Sequence, residues 1–253
     1  MLYGTQFNSG GANCVATWNF DTGVPSFTGA TTGSMTAVGN GWFRCSMVIT
    51  ATTTNASTSQ QLLRLTSNSG DVYAWGAQLE VGAFPTSYIP TTTAAVTRNA
   101  DVASITGSAF SGWYRQDEGT VFAEFQPRAN ATAGVAYLND GSVNEATRIF
   151  YNSAVSNYTF SVRAAGVEQS SINNLGAYVL QSERISAAYK VNDLAASRNG
   201  GASVSDVSAT LPTGIDRLNL GATHVPNYLN GTIRRLVYWP VRLPNAQLQT
   251  ITL

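Results

Sequence analysis

Short apolar stretches separated by turn-forming residues repeat along the whole chain. Within them, β-branched and aromatic residues alternate with polar ones, which is the period of a strand with one buried face. Between them stand Gly, Asn and Asp, as in Asn199-Gly200, a pair that favours a tight hairpin turn. The pattern predicts strands over residues 15–20, 42–49, 61–65, 72–79, 96–105, 120–125, 135–138, 148–151, 158–162, 178–189, 191–198, 217–220 and 232–239.

One stretch favours a helix instead. Residues 243–248 read Leu-Pro-Asn-Ala-Gln-Leu, which predicts a short helix with Pro244 in its first turn, where a missing N–H costs nothing. Many regularly spaced strands with almost no helix indicate an all-β protein of antiparallel sandwiches, and exclude a fold of alternating strands and helices.

The length of the chain suits two such sandwiches, since 253 residues is more than twice the roughly 100 that one needs. Residues 84–95 contain Pro85, Pro90 and a run of three threonines, a composition typical of an extended connector. We therefore predict two domains, residues 1–92 and 93–253.

The charge content narrows the possible partners. Charged residues make up 11% of the chain, against about 25% in typical soluble proteins, and 14 acidic residues balance 14 basic ones. Nucleic acid and membrane surfaces, which attract clustered Lys and Arg, are therefore excluded as expected partners. No apolar run reaches the roughly 20 residues of a membrane helix and no signal peptide is evident, so we expect release by lysis.

Two cysteines, Cys14 and Cys45, could pair across neighbouring strands. The apolar neighbours of Cys45 favour two buried free thiols over a disulfide. Their spacing matches neither a metal site nor a redox motif.

Two segments near residue 80 carry a family resemblance. Residues 72–82, Val-Tyr-Ala-Trp-Gly-Ala-Gln-Leu-Glu-Val-Gly, are followed by Thr-Ser-Tyr-Ile-Pro-Thr (86–91) and Val-Thr-Arg (96–98), and preceded by Gly-Asn-Gly-Trp-Phe-Arg-Cys (39–45). This set resembles a motif common in phage tail and head-fibre proteins. The resemblance covers residues 15–105 and implies a jelly-roll module similar to carbohydrate-binding modules.

Members of that family usually carry further strands before the region that corresponds to Phe20-Asp21-Thr22-Gly23. We therefore expect the first jelly roll to be incomplete at its N-terminus, with strand edges that another copy or another virion protein must cover. The resemblance thus implies that this module is an assembly surface.

The second half resembles a different module. Residues 111–115 and 118–125 resemble the opening of concanavalin A-like, LamG-like modules of phage proteins, and residues 229–239 with 243–248 resemble their final strand and short helix. This resemblance implies a second jelly roll that either binds glycans or packs as a scaffold.

Candidate glycan-binding residues fall into two groups. Trp113 and Tyr114 adjoin a polar turn, where a ring could stack on a sugar while Arg115, Gln116 and Asp117 bind hydroxyl groups, although packing in the core is the favoured interpretation of both rings. The second group, His224, Asn227 and Tyr228, lies in a loop that could border a glycan groove.

Other residues favour structural roles. Trp42 and Trp75 lie in apolar strand contexts and are expected to be core aromatics. Glu118 and Glu124 are the candidates for a catalytic carboxylate pair. Six residues of extended strand would separate them by about 20 Å, whereas the two carboxyl groups of a retaining glycosidase are roughly 5 Å apart. We predict no enzyme activity, no cofactor and no metal site built from side chains, with a calcium ion held by backbone carbonyls left open.

These expectations combine into one functional hypothesis. The chain is expected to be a phage virion structural protein, as a head fibre, a decoration protein or a tail fibre appendage, with lectin-like modules. Expected partners are other virion proteins, copies of itself as a trimer, and a host surface glycan; the expected location is the virion surface after assembly in the host cytoplasm. The alternatives are a dedicated receptor-binding lectin and, third, a polysaccharide depolymerase.

Overall fold

The protein is described by a computed structural model. The structure describes residues 2–9, 12–29, 31–50, 64–65, 71–82, 84–224 and 227–253. For residues 2–9, 12–13, 31 and 64–65 it describes the backbone but not the side chains. The chain divides into two compact units, residues 1–98 and 99–253. The sequence predicts a boundary after residue 92, whereas residues 93–98 belong to the first unit. The guanidinium of Arg98 connects them to that unit by donating hydrogen bonds to Thr86 and Ser87.

Six strands are found among the described residues of the first unit. They are β1 (Leu2–Ser9), β2 (Ala12–Asn19), β3 (Val24–Thr28), β4 (Thr31–Gly39), β5 (Trp42–Ile49) and β6 (Arg64–Leu65). Four of them form an antiparallel sheet in the order β3-β2-β1-β6, and β4 pairs with β5 as a hairpin. Alternate residues of β2, namely Cys14, Ala16 and Trp18, are buried, as the period of a half-buried strand requires.

The turn between β4 and β5 follows from its sequence. Asn40 and Gly41 both have left-handed backbone angles, with φ of 50° and 76°, which Asn and Gly adopt at little cost. This geometry matches the twist of a two-residue hairpin. Both Cys14 and Cys45 are free thiols, the first buried and the second half-buried.

The prediction of a strand over residues 72–79 was wrong, because residues 71–80 form no strand. Gly76 has a left-handed φ of 69°, which breaks the extended course of the chain. Hydrogen bonds from side chains, and not backbone pairing, connect this segment to residues 86–89. The carboxamide oxygen of Gln78 accepts a hydrogen bond from the N–H of Ile89 at 2.8 Å, and the carboxylate of Glu80 accepts one from the N–H of Thr86 at 2.6 Å.

Two further predictions for this region need correction. Trp42 and Trp75 are not core residues, since they are 48% and 77% exposed. The ring of Trp75 packs on that of Tyr88, with the ring centroids 4.8 Å apart. Of the strand predicted over residues 96–105, only the end is found, as Ala103–Thr106. Residues 61–63 of another predicted strand lie outside the described residues.

In the second unit, residues 99–224 and 227–253 are described and form eleven strands and two short helices. They are β7 (Ala103–Thr106), α1 (Ser108–Ser111), β8 (Glu118–Pro127), β9 (Ala133–Asn139), β10 (Ala146–Asn152), β11 (Asn157–Ala164), β12 (Val167–Ile172), β13 (Glu183–Lys190), β14 (Leu194–Arg198), β15 (Val204–Asp206), β16 (Arg217–Leu220), β17 (Gly231–Trp239) and α2 (Asn245–Thr250).

These strands build two antiparallel sheets, one of six strands in the order β12-β11-β10-β9-β16-β7 and one of five in the order β15-β14-β13-β8-β17. The core between them includes Phe125, Phe160 and Ile185, each no more than 1% exposed. Burial of such large apolar side chains is the main driving force for the sandwich. The predicted fold class, all-β with antiparallel β-sandwiches of the jelly-roll kind, is confirmed.

Some elements differ from the sequence prediction in extent. The strands predicted from residues 178 and 191 begin only at Glu183 and Leu194. The predicted C-terminal helix exists as α2, but Pro244 is its N-cap and not a residue of its first turn. No helix within the described ranges is long and apolar enough to cross a membrane.

Candidate functional site

A pocket of about 500 Å³ lies where β8 begins and β17 ends. The segment between α1 and β8 supplies one side of it and the end of β17 the other. Its lining residues are Gly112, Trp113, Tyr114, Arg115, Tyr238 and Pro240. The structure thus brings three of the predicted glycan-binding residues, Trp113, Tyr114 and Arg115, to one pocket.

The aromatic residues of the pocket are rigidly packed. Trp113 contacts Phe110 and Tyr238 edge to face, with ring centroids 4.9 and 4.8 Å apart, and its indole N–H donates to the carbonyl of Ala109 at 2.6 Å. Tyr114 stacks on Phe110 at 4.6 Å. Trp113 and Tyr114 nevertheless remain only partly buried. Both rings therefore pack against the core, as the favoured interpretation expected, and both residues also line the pocket.

A closed ring of hydrogen bonds holds the backbone of Arg115. Its N–H donates to the hydroxyl of Tyr238 at 3.0 Å, and its carbonyl accepts from the hydroxyl of Tyr189 at 2.7 Å. The two hydroxyls are 2.8 Å apart, so that of Tyr238 donates to that of Tyr189. Burial raises the pKa of both tyrosines above the ordinary value, which keeps the hydroxyls neutral and able to donate.

The hydroxyl ring requires a glycine at position 119. A Cβ atom there would lie 2.5 Å from the hydroxyl of Tyr238 and 2.6 Å from that of Tyr189. No real Cβ contact is that short, so a larger residue would displace both tyrosines. Gln116 supports the same segment from the other side, donating to the carbonyl of Pro212 at 2.6 Å and accepting from the N–H of Ile215 at 3.2 Å.

Charged side chains surround the pocket in opposite pairs. The guanidinium of Arg115 forms two hydrogen bonds with Asp117, one of 2.9 Å from Nε, and this contact lowers the pKa of the Asp117 carboxyl. Glu118 lies 3.7 Å from Arg115 and 3.9 Å from Lys190. Since Arg115 and Asp117 are exposed, their pairing is weak and a ligand can exchange with it.

The second predicted group, His224, Asn227 and Tyr228, lies at the opposite end of the β8–β17 pair. Gly231 pairs with Pro127, whereas Trp239 pairs with Thr120 beside the pocket; eight residue steps of strand separate the two ends by roughly 26 Å. The two predicted groups therefore lie at opposite ends of this strand pair and do not share one pocket.

That second loop is held mainly by its backbone. The carbonyl of Asn227 accepts from the N–H groups of Gly134 and Thr223, at 3.1 and 3.4 Å, and Tyr228 forms a bridge with Ala222. His224 is exposed, and residues 225 and 226 lie outside the described ranges.

The candidate carboxylates stand in separate ion pairs. Glu118 contacts Arg115 and Lys190, whereas Glu124 lies 3.9 Å from Arg184 and 3.7 Å from Arg234. Among the residues that the structure describes, no three His, Cys, Asp or Glu side chains gather in a group that could hold a metal ion.

Sequence analysis missed Tyr189, Tyr238 and Pro240 as part of the site. Tyr189 and Tyr238 lie in strands with ordinary alternation, 74 and 123 residues from Arg115. Their patterning indicates burial and gives no sign of which loop they support. Gly119 was the available sign, because a glycine inside a strand often marks a close approach.

No protein-family model matches the chain, and no curated protein sequence is significantly similar to it. Solved structures do match. The CBM40 of the Ruminococcus gnavus IT-sialidase is 14% identical, with 54% of this chain and 83% of that chain covered and a TM-score of 0.46.

Two other solved structures extend this comparison. The NanB sialidase of Streptococcus pneumoniae is 20% identical, with coverage of 60% and 26% and a TM-score of 0.50. A heptameric SAP-like pentraxin of Limulus polyphemus is 12% identical, with coverage of 53% and 69% and a TM-score of 0.40. The likeness to NanB is one of fold, and it agrees with the antiparallel β-sheets found here.

Proposed function

We propose that this protein is a non-enzymatic, lectin-like component of a phage virion, and that the pocket beside Trp113 binds an uncharged glycan of the host surface. The pocket carries the proposal, because it joins an aromatic wall to an exposed pair of hydrogen-bonding side chains. Sugars present just these two requirements, an apolar C–H face and a periphery of hydroxyl groups.

The fixed shape of the pocket favours recognition. The rings of Trp113 and Tyr238 are packed against each other, and the hydroxyl ring fixes the backbone of Arg115. Little conformational entropy would then be lost on binding. The charges nearby balance, Arg115 and Lys190 against Asp117 and Glu118, which favours an uncharged ligand over an acidic one.

The virion role rests on the motifs at residues 39–45, 72–82 and 86–91, which resemble those of phage fibre proteins. The protein would be assembled in the host cytoplasm and stand on the virion surface among other virion proteins. Several copies on one particle would raise the avidity of individually weak sites. A dedicated receptor-binding lectin would use the same pocket.

Absence of catalysis belongs to the proposal as well. Glu118 and Glu124 contact different cations and lie about 20 Å apart along β8. An acid and a nucleophile of a retaining glycosidase are about 5 Å apart. The full chain, incubated with host polysaccharide, is therefore expected to release no new reducing ends; their appearance would favour the depolymerase instead.

A glycan array of host surface sugars tests the binding role. The full chain is expected to bind at least one sugar, and Trp113→Ala and Arg115→Ala are each expected to weaken that binding by tenfold or more. Tyr228→Ala serves as the matched control, since Tyr228 is 40% exposed at the other end of the strand pair. Thermal melting of each variant separates lost binding from lost folding.

Two results would contradict the proposal. One is that the unmodified protein binds none of the host glycans on the array, which would leave a scaffold role for the second unit. The other is unchanged binding in a folded Arg115→Ala protein together with loss in Tyr228→Ala, which would move the site to the opposite loop.

A further inference from the structure

Residues 72–81, here called the 72–81 segment, expose a row of large apolar side chains in the first unit. Tyr73, Trp75, Leu79 and Val81 are 80%, 77%, 69% and 107% exposed. Together with Ala77, these four residues occupy every second position from 73 to 81. Gly76, Gln78 and Glu80 lie between them in the sequence. This is the pattern of a strand with one apolar face, in a segment that forms no strand.

The exposed apolar area lies at the upper end of the range for a single protein. At about 150–250 Å² for an aromatic side chain, the four residues together present roughly 600 Å² of apolar surface. The largest patch of a typical monomer is about 300–600 Å², and a stable interface takes about 800 Å² per partner. Glu80 is the one charged residue of the segment, and it is occupied by hydrogen bonds to Thr86.

The backbone of the segment is not paired with any other part of the chain that the structure describes. No residue of the segment pairs in a sheet or forms a backbone hydrogen bond with another described residue. Its position is nevertheless fixed, because Gln78 and Glu80 hold the N–H groups of Ile89 and Thr86. Gly76 interrupts its extension, but glycine adopts extended angles as readily and is common at bulges.

The same unit offers a complementary edge. Strand β4 has nine residues and pairs with β5 along one edge, and no described strand pairs with its other edge. The 72–81 segment has a matching length of ten residues, and Val38 on β4 is 61% exposed. A segment and an edge that fit each other in one chain can join successive copies head to tail.

We propose that the 72–81 segment joins copies of this chain by adding a strand to the β4 edge of a neighbouring copy. Pairing would satisfy the backbone of both, and the apolar row would be removed from water. This inference stands on the first unit alone and is independent of what the pocket of the second unit binds.

The molar mass of the full chain in solution tests this proposal by light scattering. The unmodified protein is expected to be an oligomer, and Leu79→Lys with Val81→Lys is expected to weaken association about 100-fold, because two charges would be desolvated at the contact. Val102→Lys with Val207→Lys is the matched control, since these valines are 83% and 75% exposed in the second unit. A monomeric unmodified protein, or a lysine variant that stays oligomeric, would overturn the proposal.

Hydrogen exchange locates the contact. Amides of the 72–81 segment are expected to exchange slowly in the oligomer and rapidly in the monomeric lysine variant, while those of β8 stay protected in both. Protection of the segment in the monomeric variant would mean that it pairs within its own chain. Rapid exchange of the segment in the oligomer would mean that another surface joins the copies. Either result refutes the proposal.

Discussion

At the scale of single residues, Gly119 and the hydroxyls of Tyr189 and Tyr238 together hold the backbone of Arg115 in place. The missing side chain of the glycine leaves space for two hydroxyls, and these bind both backbone groups of Arg115. A buried hydroxyl without a partner is costly, so the three residues depend on one another. The placement of Trp113 and Arg115 in the pocket follows from this arrangement.

The substitution Gly119→Ala is expected to destabilise the second unit by about 1–3 kcal/mol, because the added Cβ forces both tyrosines out of their positions. Urea unfolding followed by tryptophan fluorescence measures the change. Gly82→Ala is the control, since a Cβ there meets only the carbonyl of Phe84 at an ordinary 3.5 Å. Equal stability of the two variants would contradict the close fit around residue 119.

At the scale of elements, the short helix α2 covers part of the outer face of the five-stranded sheet. Leu248 is fully buried against Ala188 of β13 and Ala195 of β14, whose small side chains let the helix approach. The hydroxyl of Ser186 donates to the carbonyl of Leu248 at 3.0 Å, and that of Thr252 donates to it at 3.1 Å. The bond within the turn from Thr252 closes the end of the helix, whereas the apolar anchor Leu248 and the bond from Ser186 hold the helix to the sheet.

Replacement of this anchor, Leu248→Ala, is expected to lower the free energy of unfolding of the second unit by about 2–5 kcal/mol, through lost burial and the cavity left behind. Gln247→Ala, at an exposed position of the same helix, is expected to change it by less than about 0.5 kcal/mol. Denaturant unfolding of both variants gives the comparison. Similar small effects of the two would show that α2 does not stabilise the sheet.

At the scale of the whole molecule, buried tyrosines link the stability of the second unit to pH. Burial is the main cause that raises the pKa of Tyr114, Tyr158, Tyr189 and Tyr238 above the ordinary value. The folded state thus binds protons that the unfolded state releases above about pH 10. Their contribution to stability is complete below that pH and is lost as the pH rises further.

Alkaline titration is therefore expected to unfold the second unit cooperatively above about pH 10. The absorbance of tyrosinate and the circular dichroism of the sheets should change together for the buried fraction of the 11 tyrosines. Ionisation of all tyrosines near pH 10 with the sheets intact would contradict this prediction.

The class of the fold and most of its strands could be predicted from the pattern of apolar and polar residues. The alternation at Trp42–Ile49 and Arg217–Leu220 predicted strands with the bounds that the structure has, since alternation records which side of a strand meets water. The turn at Asn199-Gly200 was likewise readable, because left-handed angles, here φ of 48° and 73°, select these residue types locally.

Tertiary structure alone decided how the strands pair and what surrounds each aromatic ring. Trp75 has the sequence context of a core residue yet is exposed, and Tyr238 reaches Arg115 from 123 residues away. The same pairing order places Tyr228 and Trp113, both predicted glycan-binding residues, at opposite ends of the β8–β17 pair. Alternation assigns each side chain to one face of its strand, but the neighbours on that face depend on contacts between residues far apart in the chain.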